Sequence, residues 1–304
     1  MNRLYYLLLL LILPFSNVIA QGCSDAGVCT LASHNFEEDL PKNTIGIGLG
    51  YGIADNDVTV ITPFLEYARS INSQWSVSLK LTAQGANSDV ANTFGMGDLF
   101  ATLDYRLPQL GSKFTHRFAL GGKFNLSSPD LTDNNKESLP MVFQPTLGTI
   151  DLLLAYHIGY KHWEGSLYLQ QPISGANTNA FLGNTSGIDM AENYPNSNML
   201  NRKGDLLLRV AYNIMSAGDR LKIQPSILPI LHLGEDEITN DQGDIVSVEG
   251  SDGLTLNGSI IVEYQIKNTQ AVYINLGSPF INREVIPDGL KRGLVAIAGY
   301  RFQF

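Results

Sequence analysis

The 304-residue chain carries 20 Lys+Arg against 29 Asp+Glu, a formal net charge of −9. Charged residues make up only 16% and hydrophobic ones 44%, against about 25% charged in ordinary soluble domains. This composition excludes a disordered chain. The lack of a basic stripe argues against nucleic-acid binding, which needs clustered Lys/Arg to neutralise phosphates.

Residues 1–20 read as a secretory signal peptide. Arg3 precedes an apolar run from Leu4 to Leu13, Pro14 breaks it, and Val18-Ile19-Ala20 supplies compact residues before a cut after Ala20. A lipoprotein signal ending at Cys23 competes, but Ala20 stands where an aliphatic residue is required. Past Ala20 no uninterrupted apolar run exceeds five residues, so a second membrane helix of about 20 residues is excluded. The segment 21–43 follows, with Cys23 and Cys29 as the only two cysteines. An even pair in an oxidising compartment most simply forms a disulfide. A metal or redox role with Asp25 and His34 stays open, although one loosely spaced pair is no zinc signature. The segment either plugs a lumen or lies in the periplasm.

The remainder alternates. Trp75, Val77, Leu79 and Leu81 interleave with Ser76, Ser78, Lys80 and Thr82; Leu294, Ala296, Ala298, Tyr300, Phe302 and Phe304 interleave with Val295, Ile297, Gly299, Arg301 and Gln303. Such patterns demand strands with one apolar and one polar face. A soluble sandwich would bury the apolar faces, whereas an outer-membrane barrel turns them to lipid. Strand length favours the barrel, because a tilted transmembrane strand needs about 9–11 residues and soluble strands average about five or six. So do aromatics near strand ends and the terminal Tyr300, Phe302 and Phe304, which resemble the C-terminal signature read by the barrel assembly machinery.

The expected architecture is all-β: a transmembrane antiparallel barrel of about twelve strands over 44–304 in the outer membrane of a Gram-negative bacterium. The strands fall at 44–52, 57–69, 73–84, 96–107, 113–127, 147–160, 161–172, 203–214, 219–232, 253–266, 268–280 and 290–304. Connections alternate between tight turns and longer loops (85–95, 128–146, 173–202, 233–252, 281–289), with 53–56 the one short exception among the loops, as periplasmic turns and extracellular loops do.

The lumen parity holds Lys80, Arg106, Arg117, Lys123, Arg209, Lys222 and Arg301 against Glu66, Asp98, Asp104, Asp151, Glu164, Asp205 and Glu263. This balance suggests ion-pair networks that constrict the barrel. His157 and His232 share that face, and His116 falls on the lipid side. Gly46, Gly48, Gly50 and Gly52 leave the first strand's inner face bare, which would seat a plug or merely permit curvature. Loop 233–252 carries Glu235, Asp236, Glu237, Asp241, Asp244 and Glu249 and reads as a solvated surface loop. No metal site, cofactor or catalytic constellation is expected: there is no Gly-x-Ser-x-Gly and the five histidines are scattered.

Gly97-Asp98-Leu99 within its strand, and Leu139-Pro140-Met141-Val142-Phe143-Gln144 followed by Leu147-Gly148-Thr149-Ile150-Asp151, resemble outer-membrane channels associated with the phenol meta-cleavage pathway. That group is distantly similar to fatty-acid and aromatic hydrocarbon transporters. The resemblance implies a channel or transporter for a small hydrophobic or amphipathic molecule, with outer-membrane lipid as surroundings and no catalytic residues. The Asn-Pro-Ala hatch motif of the fatty-acid transporters is absent. The rival is a closed structural or adhesive barrel that binds a surface partner through loops 128–146 and 173–202.

Overall fold

The computed structural model describes residues 43–109, 113–216, 218, 220–289 and 291–304. The expected signal peptide and the Cys23/Cys29 segment lie outside the described residues.

Fifteen strands follow one another: β1 (Asn43–Ala54), β2 (Thr59–Ser70), β3 (Trp75–Asn87), β4 (Asn92–Arg106), β5 (Phe114–Asn125), β6 (Asp151–Tyr160), β7 (Trp163–Pro172), β8 (Asp205–Tyr212), β9 (Ile214–Met215), β10 (Leu221–His232), β11 (Glu237–Thr239), β12 (Ile245–Ser247), β13 (Gly253–Lys267), β14 (Gln270–Ile281) and β15 (Arg292–Gln303). β11 and β12 make a separate hairpin and β9 is a two-residue piece on β10, so the wall has twelve strands. Each pairs antiparallel with its neighbours, and β15 pairs back onto β1 from Thr44↔Gln303 to Ala54↔Arg292. The barrel is closed, which satisfies every wall edge without water, as a membrane span requires.

The outer face is apolar and uncovered. Ile47, Leu49, Leu65, Leu120, Ile227, Ile274 and Leu294 are all exposed, while their chain neighbours turn inward. A soluble monomer does not tolerate apolar surface running round its whole girth; lipid does. At one rim Trp75 meets Tyr105 at 4.6 Å, Phe114 meets Tyr160 at 4.7 Å and Trp163 meets Tyr212 at 4.9 Å between ring centroids. These pairs form an interfacial girdle. The same rim carries the short turns and the Asn43–Phe304 backbone pair at 3.0 Å, which makes it the periplasmic rim of an outer-membrane barrel. His116 lies on the outer face and bonds the Tyr156 hydroxyl at 2.8 Å.

Three details depart from the sequence expectation. The connection expected over 85–95 is a turn at 88–91, closed by Ser88 N to Ala91 O at 3.0 Å, because β3 and β4 continue to Asn87 and Asn92. Its glycines are strand residues: a Cβ on Gly95 would lie 2.9 Å from Pro145 Cγ, so that glycine admits another segment against the wall, while one on Gly85 would lie 3.0 Å from the Phe94 ring of the next strand. The ladder also slips between Leu81/Ala83 and Leu99/Met96, a bulge that reverses the parity of β4 above Asp98. Finally, β6 begins at Asp151 rather than at 147, since Gly148 adopts φ +72°, a left-handed turn that ends the incoming loop.

The candidate lumen and its extracellular closure

Inward-pointing charges pair along the wall, some directly across a ladder and others diagonally or over an intervening strand. Glu66 faces Lys80 in the β2–β3 ladder and their charges lie 3.4 Å apart. Arg117 reaches Asp104 at 3.6 Å, with Arg106 beside them around a small periplasmic cavity. Glu164 lies 4.0 Å from both Arg209 and Lys222, and takes hydrogen bonds from Asn213 at 2.7 Å and Gln224 at 3.0 Å. Arg301 bonds Glu263 at 2.8 Å while its guanidinium covers the Tyr273 ring at 4.4 Å. His157 meets the Ser166 hydroxyl at 2.8 Å.

Deeper toward the extracellular side, the two sequence motifs converge. Lys123, 2% exposed, lies 3.2 Å from Asp151 and 4.0 Å from Asp98, and donates to Thr149 at 2.8 Å. Thr146 donates to Asp98 at 2.6 Å and Gln170 to Asp151 at 2.5 Å. The Gly97-Asp98 strand and the Leu147-to-Asp151 segment are therefore two halves of one buried network.

Between these charged layers one side of the lumen is apolar, whereas β13 presents the buried Asn257 opposite Leu228. Phe100, Leu153, Tyr168, Leu207 and Leu228 project inward from β4, β6, β7, β8 and β10 and form one buried cluster. Parity counting on charges alone passes over them, although alternation places every one on the lumen face.

Inward-folded loops close the extracellular end. The Met141–Phe143 turn lies against the β3–β4 wall, where Gln84 donates to the Gln144 carbonyl at 2.7 Å and Thr93 to that of Phe143 at 2.7 Å. Gln144 holds both ends of its own loop through Leu131 and Leu139. Leu139, Val142 and Phe143 pack with Phe181 and Tyr194 of the next loop onto Val60 and Ala86 of the wall. Below this lid remains a cavity of ≈ 70 Å³, lined among others by Thr62, Thr82, Phe100, Lys123, Met141 and Asp288.

A second fastening joins four segments. Arg202 bonds Asp205 and, at 2.6 Å, Asp288; Arg283 bonds Asp288 at 3.2 Å and the Ser251 carbonyl at 2.6 Å. His232 stands between Asp205 at 2.7 Å and Asp236 at 2.9 Å. Burial alone would raise the Asp288 carboxyl and lower Arg202, yet Arg202 and Arg283 hold Asp288 well below the usual carboxylate range, and Asp205, Asp288 and Asp236 hold Arg202 well above its own. Here the reading of 233–252 as a solvated acidic loop is corrected at one residue: Asp241, Asp244 and Glu249 are exposed, but Asp236 is 0% exposed, because it caps His232 and accepts the Lys203 backbone N–H at 2.8 Å. Arg202, Arg283 and Asp288 escape notice in the sequence, since they sit in loops that carry no period. Isolated arginines flanking an acidic loop are the available signal.

The glycine face of β1 is occupied by wall side chains. A Cβ on Gly48 would lie 2.2 Å from the Phe64 ring, and one on its cross-strand partner Gly299 would lie 2.4 Å from Tyr273. At Gly48 and Gly299 the bare stripe accommodates aromatic rings from β2 and β14.

No protein-family model matches the sequence, and no curated protein matches it. Among solved structures the chain is similar to an outer-membrane channel from Pseudomonas putida F1, at 14% identity and TM-score 0.58, covering 89% of this chain and 100% of that one. It is also similar to the NanC porin, at 10% identity and TM-score 0.50, covering 86% and 100%. At these identities the likeness is one of fold. The chain is an outer-membrane β-barrel with the fold of channels and porins.

Proposed function

We propose that this barrel is a gated channel that passes a small hydrophobic or amphipathic molecule across the outer membrane, and that the closed lid is its resting state. The observation that carries the reading is the apolar cluster of Phe100, Leu153, Tyr168, Leu207 and Leu228 on the lumen wall. A water-filled pore for hydrophilic solutes gains nothing from such residues, whereas an apolar cargo is favoured by about 25 cal/mol for each Å² it hides from water. The ≈ 70 Å³ cavity is smaller than the roughly 150 Å³ that accepts benzene elsewhere. Passage therefore requires the Met141–Phe143 turn to withdraw. The outward Tyr300, Phe302 and Phe304 remain available to the barrel assembly machinery.

Proteoliposomes loaded with the full chain test the reading. Small aromatic solutes should permeate faster than sugars of similar size, and Leu207→Asp should remove that preference without unfolding the barrel. A barrel that passes neither solute, even with the lid bonds removed, is instead a closed structural or surface-binding protein.

A further inference from the structure

We propose that the buried cluster around His232 is a proton-operated latch on the extracellular closure: with its proton count full it fastens loops 233–252 and 282–291, and loss of one proton releases them. The proposal rests on the gated-channel reading for its consequence but on the cluster's own geometry for its mechanism.

Both ring nitrogens of His232 lie within hydrogen-bond distance of carboxylate oxygens, 2.7 Å to Asp205 and 2.9 Å to Asp236. A neutral imidazole has a single N–H, so it would set a bare lone pair against one of those oxygens. The charge count agrees. Asp205, Asp236 and Asp288 supply three negative charges, while Arg202 and Arg283 supply two positive ones. One further proton, held on His232 between the two carboxylates, neutralises the cluster. His232 and Asp205 are each 2% exposed and Asp236 is 0%, so losing that proton leaves an uncompensated buried charge, which is strongly unfavourable.

The charged groups facing the imidazole come from every adjoining element: Arg202 ahead of β8, Asp205 on β8, Asp236 in the loop after β10, and Arg283 and Asp288 in 282–291. Lys203 turns away to Glu237 at 2.9 Å and supplies no substitute charge. Release would be mechanical. Asp236 N–H donates to Ser251 Oγ at 2.8 Å, and the Ser251 carbonyl holds Arg283. Through Asp288, Arg283 fixes the loop that lines the ≈ 70 Å³ cavity.

The test uses the full chain in lipid bilayers between pH 5.5 and 9.5, with two readouts. One is conductance. The other is maleimide labelling of Ile286→Cys, a position 2% exposed in the closed loop, with Cys23 and Cys29 replaced by serine. Labelling rates are divided by those of the same chain unfolded in urea at the same pH, which removes the thiol's own titration. We expect normalised labelling and conductance to rise together at least ten-fold with pH, and His232→Gln to be fast and pH-independent in both. Labelling that is flat with pH, or a pH response that survives in His232→Gln, overturns the latch. Should His232→Gln fail to fold, the labelling profile of the His232-containing chain decides alone. Labelling that rises with pH while every form stays non-conducting upholds the latch and overturns the channel reading.

Discussion

Replacing Gly299 by alanine tests whether the bare stripe at the β1–β15 seam exists to hold aromatic rings. The three nearest atoms to the added Cβ, at 2.4, 2.5 and 2.5 Å, all belong to Tyr273, so the whole penalty passes through one side chain. Overpacking of this kind costs about 1–3 kcal/mol. Tilting the ring away also weakens its contact with the Arg301 guanidinium 4.4 Å above it, worth about 0.5–2 kcal/mol. Gly299→Ala should therefore destabilise the barrel by about 2–4 kcal/mol. In a Tyr273→Ala background the clash is gone, and alanine is preferred over glycine inside a strand by about 0.5–1 kcal/mol. The same substitution should then be neutral or stabilising. Urea unfolding in lipid vesicles, followed by heat-modifiable gel migration, measures all four corners of the cycle. Equal costs for Gly299→Ala in both backgrounds would refute the argument.

Lys123→Met leaves Asp98 and Asp151 buried without their cation and should cost about 3–5 kcal/mol in the same unfolding assay; restoring part of it by Asp151→Asn identifies the uncompensated charge as the cause. Gln84→Ala combined with Thr93→Val removes the wall bonds to the Met141–Phe143 turn and should raise bilayer conductance while leaving the urea midpoint nearly unchanged. Asp288 has a depressed carboxyl pKa, so its contribution is complete above the ordinary value of 3.8 and lost as pH falls through the folded one. Pepsin should accordingly cut the 282–289 loop only at the most acid end of its working range, and Asp288→Asn should be cut throughout that range.

The wall was legible because its rule is local. Lipid outside and ion pairs inside impose a strict two-residue period, so Leu79 and Lys80 each declare a side. Connection lengths supplied the orientation independently. The places where reading failed are those where tertiary contact overrides local signal. Gly95 looks like a loop residue until Pro145 is brought against the wall, and Gly85 until Ile61 and Phe94 close on it. Asp236 looks solvated until His232 is found beneath it, twenty-seven residues from its other partner Asp205. The lid itself, from Leu139 to Gln144, reads as a short apolar run that any loop could carry. Nothing in its spacing says that it folds inward.

The seam between β1 and β15 sets a condition on how the protein is made. Residue 43 bonds residue 304 in both directions at 3.0 Å, so closure joins positions separated by almost the whole described chain. Until the last strand arrives, β1 and β14 each present an open edge, a template for pairing with any passing strand. Contacts of such long range make closure slow compared with forming the hairpins between neighbours. Synthesis must therefore pass β15 before the molecule can shed its most adhesive intermediate, and that intermediate has to be sheltered during its journey to the membrane. Where the seam finally zips, Gly48 meets Gly299, so at that pair the first and last strands approach with no lumen side chain of their own to rearrange.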